Sequence, residues 1–293
     1  RGPARADACR RAPAHEVSSP AVVTPDASKR ARTAVLATCG LYTTYGLLGL
    51  VPGLDIVRGA ALVAAFYFLP GWLLRHEPEV QARYQVGPDG PIPPWDRRGA
   101  RWALGACLVV FPPFVLGFWW FYHHVCAGDL RMLAPALWVE QLTPWRGGLE
   151  LFFERLCRGH DGTFFPDALH VPASWAAYGG LGVIVQVVEG LFAVALAEEV
   201  FHRGYLMSAL EERFPPKRTI FGAKIGLAAV ISSLLFALGH LFSMAQAARL
   251  ATFFPALVFA WLWRRSGSLW APALFHMAAN LLMELLLAST FRG

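Results

Sequence analysis

Charge is scarce in this 293-residue chain. Asp, Glu, Lys and Arg make up 16% of it, where a soluble domain carries about 25%. Hydrophobic residues make up 56%, and the mean hydropathy is +0.43. The shortage excludes an ordinary soluble domain and points to a polytopic membrane protein. Cysteine patterning is also lacking: Cys9, Cys39, Cys107, Cys126 and Cys157 are scattered, odd in number and form no CxxC pair. Neither a disulfide framework nor a zinc knuckle is expected from them. Acidic excess is absent, and the net charge is +6. The basic residues stand beside apolar runs, where positive-inside topology accounts for them, so no nucleic-acid partner is expected.

Residues 1–32 lack any apolar period and are rich in Ala, Pro, Arg and Ser. They read as a disordered basic tail without a signal-peptide core. A membrane-crossing helix needs about twenty mostly apolar residues. Runs of that kind lie at 33–53, 56–75, 102–125, 175–200, 219–242, 246–263 and 268–290. The expected fold class is therefore all-α, a polytopic transmembrane helical bundle of about seven transmembrane helices. The first two runs are separated by "VPGLD", a Pro-Gly turn that suits a hairpin.

These runs divide the chain into N-terminal transmembrane helices at 33–125, a loop at 126–174 and a transmembrane core at 175–293. In the loop, Leu149, Phe152, Phe153 and Leu156 recur at helical spacing, which predicts an interfacial helix. With the tail inside, the inner loops hold Arg97, Arg98 and Arg101, then Arg213, Lys217 and Arg218, then Arg264 and Arg265. The 126–174 loop then lies outside the cytoplasm.

Ionisable groups inside apolar helices cost at least a few kcal/mol each and point to function by default. Three groups stand out: Glu198, Glu199, His202 and Arg203 in "EEVFHR"; Phe236 and His240 in "FALGH"; His276 and Asn280 in "HMAAN". Glu199 and Arg203 are spaced i,i+4 with the acid first, the favourable order for an ion pair. That pair would leave Glu198 free, and a carboxylate balanced between apolar surroundings and a nearby cation suits a general base. His276 and Asn280, also i,i+4, put two hydrogen-bond donors on one helix face, where they can receive an oxyanion. The rival readings are a structural ion-pair network for the first group and interhelical hydrogen bonds for the last. His240 alone reads as a core histidine packed beside Phe236.

Helical counting brings the groups together only imperfectly. Glu198 lies about 18 residues before the Pro215-Pro216 break and His240 about 24 after it, a mismatch of roughly 9 Å at 1.5 Å per residue. A metal site is the second-ranked chemistry. Glu199 to His202 has Glu-x-x-His spacing, but the chain has no second copy and no His-Glu-x-x-His. A zinc site of Glu198, His240 and His276 is chemically feasible without being required by any spacing.

The ordered set EExxxR, FxxxH and HxxxN on separate hydrophobic helices resembles the CPBP family of intramembrane proteases, the CAAX proteases and bacteriocin-processing enzymes. The resemblance covers about residues 180–290. It implies a glutamate-dependent endopeptidase of the type II CAAX prenyl endopeptidase kind. By that resemblance Glu198 activates water with help from His240, His276 and Asn280 form the oxyanion hole, and Glu199 and Arg203 orient the base. One position departs from the pattern: family members commonly carry an aromatic residue before the motif arginine, where this chain has His202.

The expected protein is thus a multi-pass integral membrane endopeptidase with a membrane-protein or lipid-modified peptide substrate. It has the lipid bilayer as partner, no cofactor and no assigned oligomeric state. The Ala-, Arg- and Pro-rich composition suits a GC-rich bacterium, which is compatible with a myxosortase-like sorting protease, and the expected location is the bacterial inner membrane. The rival functions are a non-catalytic immunity or scaffold factor, a zinc-dependent membrane protease and a proton-coupled transporter.

Overall fold

The computed structural model describes residues 25–87, 90, 92–126, 148–157, 170–177, 179–243 and 247–290. Its helices are α1 (Pro25–Leu48), α2 (Asp55–Leu73), α3 (Pro78–Tyr84), α4 (Arg97–Cys126) and α5 (Gly148–Cys157). They are followed by α6 (Gly179–Arg213), α7 (Leu227–Ser243), α8 (Phe253–Ser266) and α9 (Trp270–Thr290). The fold is an all-α membrane bundle. Four of these helices, α2, α4, α6 and α9, are long and apolar enough to cross a membrane, and Leu227–Phe242 is apolar but shorter.

Three expectations are corrected. First, α1 starts at Pro25, so the last eight residues assigned to the tail form its opening turns. Pro at a helix start leaves no needed N–H unmade. Ala27 and Ala31 are buried, and Arg30 reaches Glu77 and Glu212 on α6 at 2.6 and 2.7 Å. Residues 1–24 lie outside the described residues.

Second, the run at 219–242 is not helical throughout. Strands β1 (Arg218–Ile220) and β2 (Ala223–Ile225) pair antiparallel, with Ile220 opposite Ala223, and α7 begins only at Leu227. The linking residues Phe221 and Gly222 have φ of 45° and 79°, the two-residue hairpin turn that suits the twist of the strands.

Third, a disulfide joins Cys126 at the end of α4 to Cys157 at the end of α5. No local spacing announced it, because 31 residues separate the pair. The helix expected within the 126–174 loop is α5, while residues 127–147 and 158–169 lie outside the described residues.

The centre of the bundle is α6. Every residue from Val200 to Leu210 is buried, against α1, α2, α7 and α8, while α9 packs on the turn just before. Lipid tails supply no hydrophobic drive between helices, so such packing rests on close approach and polar links. Gly204 provides the approach: a Cβ there would lie 2.9 Å from the Tyr84 carbonyl oxygen and 3.0 Å from Val86 Cγ1. The helix stops at Arg213, just before Pro215-Pro216, which cannot continue it. At its end Glu212 also pairs with Arg83 on α3, so one carboxylate ties α3 and α1 to α6. On the opposite flank α4 packs along α9.

Gly204→Val is therefore expected to destabilise the fold by about 1–3 kcal/mol. Gly105→Ala, on a part of α4 with nothing within 4 Å of the added methyl, should instead stabilise the fold slightly, by up to about 1 kcal/mol. Thermal unfolding of the purified protein in detergent checks both.

Candidate active site

Glu198 and Glu199 stand on a four-residue α-helical stretch, Leu196–Glu199, between two π-helical stretches of α6, Gly190–Ala195 and Val200–Met207. Widened turns of this kind are frequent at functional sites. They break the strict 100° succession of side chains, so several polar groups of one helix can face different neighbours.

Glu199 and Arg203 are fully buried, and Arg203 Nε lies 3.1 Å from Glu199 Oε2. The contact is ionic rather than a well-aligned hydrogen bond, since neither atom has a hydrogen-bond partner. Arg203 is further held by donating from Nη2 to the Ala256 carbonyl on α8, at 3.0 Å. Its guanidinium lies 4.7 Å from the centre of the Phe236 ring and 5.1 Å from that of Phe259. A desolvated guanidinium over aromatic faces gains about 2 kcal/mol.

His276 on α9 closes the cluster. Its Nδ1 lies 3.1 Å from Glu199 Oε1. An ionised carboxylate only accepts, so Nδ1 carries the hydrogen. The other ring nitrogen, Nε2, lies 3.8 Å from Glu198 Oε2. Glu198 is the one partly open carboxylate, with 18% of its side chain exposed, yet Oε2 itself is buried and has no hydrogen-bond partner. His276 stacks on Phe259, with ring centres 4.5 Å apart.

His240 donates from Nδ1 to the Phe236 carbonyl at 2.9 Å and packs on the Phe236 ring at 4.5 Å. The same ring meets His276 at 5.9 Å, so Phe236 sits between the two imidazoles. Asn280 lies one turn beyond His276 on α9 and is half-buried.

The depth mismatch expected from helical counting disappears because residues 214–226 are turn and hairpin rather than helix. Glu198 lies 15 residues before the end of α6 at Arg213, and His240 lies 13 residues after the start of α7 at Leu227. Among the described residues no three or more His, Cys, Asp or Glu side chains are grouped to hold a metal ion.

His202 does not face the carboxylates. It is fully buried between Phe66, Phe201 and Phe236, with ring centres 5.0–5.4 Å away. Its Nδ1–H donates to the Glu198 backbone carbonyl at 2.9 Å, which leaves Nε2 to accept from the Tyr42 hydroxyl at 2.8 Å. The imidazole thus fills an aromatic position while adding two hydrogen bonds. Tyr42, on α1, was missed by the motif reading. Its ring presses on α7 so closely that a Cβ at Gly239 would meet Tyr42 Cζ at 2.1 Å.

Fold and site together define a helical membrane protein with an acid–imidazole cluster buried in its core. Residues 180–282, which include all three motifs, match the family model described as type II CAAX prenyl endopeptidase Rce1-like. The chain is therefore similar to CAAX proteases over this segment, which is about a third of its length. No curated protein and no solved structure matches the chain.

Two substitutions separate the supports. Arg203→Met leaves Glu199 buried without its cation and should cost about 3–5 kcal/mol, read as a large fall in thermal unfolding temperature in detergent. Tyr42→Phe removes one buried donor and should cost about 1 kcal/mol, seen in the same assay as a small shift with helicity retained.

Proposed function

We propose that this protein is a glutamate-dependent intramembrane endopeptidase that hydrolyses a peptide bond in or near the membrane segment of a protein or lipid-modified peptide. The carrying observation is the arrangement around Glu198: a buried carboxylate oxygen without a hydrogen-bond partner, set 3.8 Å from an imidazole whose far side is held by Glu199.

In this reading Glu198 takes a proton from water as the water attacks the scissile carbonyl. Developing charge on the carbonyl oxygen is met by His276 and Asn280, and preorganised donors in a site shielded from water are the strongest single source of such stabilisation. The Nδ1 contact defines what His276 must do. In its imidazolium form Nε2–H donates to the oxyanion, whereas in the neutral ring Nε2 can only accept. Glu199 thereby serves two partners, pairing with Arg203 and fixing the direction of His276. As the tetrahedral intermediate collapses and the C–N bond breaks, the proton held by Glu198 passes to the departing amine, while His240, set across Phe236 from His276, assists the attacking water.

The disulfide supports the proposed orientation. Such bonds persist in oxidising compartments, so Cys126 and Cys157 belong on the extracytoplasmic side, in agreement with positive-inside charge that places the α6–α7 and α8–α9 connections in the cytoplasm. A bacterial inner membrane fits this topology.

The test is a comparison of membrane-protein termini between cells carrying the wild-type chain and cells carrying Glu198→Gln. One or a few termini should change. Removal of a general base should slow cleavage of that substrate by about 10²–10⁴-fold while leaving the amount of folded protein unaltered. Unchanged processing in Glu198→Gln and in His276→Ala would overturn the proposal.

A further inference from the structure

The hairpin between α6 and α7 presents an aromatic tip to the outside of the bundle. Phe221 is 88% exposed, and its neighbour Ile220 is 44% exposed. A bulky residue with φ of 45° is strained, and Asn or Gly is the usual occupant of that turn position.

The tip is firmly placed. Trp261 on α8 donates from its indole to the Ile220 carbonyl at 2.9 Å. Gly222 lies against Arg265, since a Cβ there would meet Arg265 Nε at 3.0 Å. Arg265 in turn covers Trp102 at 4.4 Å, and Trp102 lies 5.8 Å from Trp261. The hairpin tip therefore sits at the level of a Trp–Arg belt near the ends of α4 and α8. Tryptophans with flanking cations mark the membrane–water interface.

Charge completes the pattern. Residues 214–226 contain Lys217, Arg218 and Lys224, all exposed, and no acid. The nearest acids on α6 are already paired, Glu211 with Arg264 and Glu212 with Arg30 and Arg83.

We propose that this hairpin is an interfacial anchor: Phe221 enters the boundary between headgroups and acyl chains while Lys217, Arg218 and Lys224 bind anionic headgroups of the same leaflet. The occupant is lipid of net negative charge. The assignment rests on the membrane bundle alone and is independent of the peptidase reading.

The experiment places an environment-sensitive fluorophore at Phe221→Cys in full-length protein lacking Cys9, Cys39 and Cys107, with the Cys126–Cys157 bridge kept. The protein is reconstituted in nanodiscs of phosphatidylglycerol or of phosphatidylcholine. In the anionic discs the probe should be quenched by lipids brominated near the top of the acyl chain and protected from aqueous iodide. Replacing Arg218 and Lys224 by Ser should weaken insertion about fivefold per cation removed. A second reading uses unlabelled protein: phosphatidylglycerol should raise its unfolding temperature more than that of Phe221→Ser. Iodide quenching equal to that of free dye would overturn the proposal. So would equal insertion in both lipids, or protection from both quenchers, the last of which indicates a protein contact.

Discussion

The side chain on which the architecture depends is Arg203. A guanidinium with no exposure needs compensation from its surroundings, and here that comes from three helices: Glu199 on α6, the Ala256 carbonyl and Phe259 on α8, Phe236 on α7. Through Glu199 the same cation also fixes His276 on α9. Buried ion pairs are weak contributors to net stability, but breaking one is costly. Their value here is geometric. The pair orders four helices about one point, and Glu198, the adjacent residue, inherits a fixed position with one oxygen near His276 but without a hydrogen bond.

A membrane interior sharpens this constraint. Helix association in lipid has no hydrophobic drive, so a small number of polar links and close contacts select the packing. The hydrogen bonds from Tyr42 to His202 and from His202 to the Glu198 carbonyl extend the selection to α1. The segment matched to the CAAX-protease family begins at residue 180, yet this support comes from far upstream of it. His202, at a position where the family commonly has an aromatic residue, keeps the aromatic packing and adds the link to Tyr42.

Much of this was legible in the sequence. Low charge and long apolar runs led to the helical bundle, and the cost of buried charge drew attention to Glu198, Glu199, Arg203, His240 and His276; Arg203, His240 and His276 do meet at the Phe236 ring, and the two glutamates join them through Arg203 and His276. What could not be read were the places where local pattern is overruled. Residues 219–226 are apolar enough to read as helix, but two positive φ values at Phe221 and Gly222 make a hairpin. That change also removes the apparent depth mismatch between Glu198 and His240. Cys126 and Cys157 meet only because α5 folds back on the end of α4. Tyr42 shares its stretch of α1 with Tyr45, Thr43 and Thr44, so no spacing rule distinguishes it before the helices are packed.

The central claim, attack by water activated at Glu198 with no covalent intermediate, is most directly tested by nucleophile trapping. Purified, chelator-treated protein would be given a peptide spanning its cleavage site in the presence of hydroxylamine. The account predicts undiminished cleavage with only the free carboxylic acid as product. A hydroxamate or an acyl group attached to the protein, the sign of a nucleophilic side chain, or activity that vanishes on chelation and returns with zinc, would contradict it.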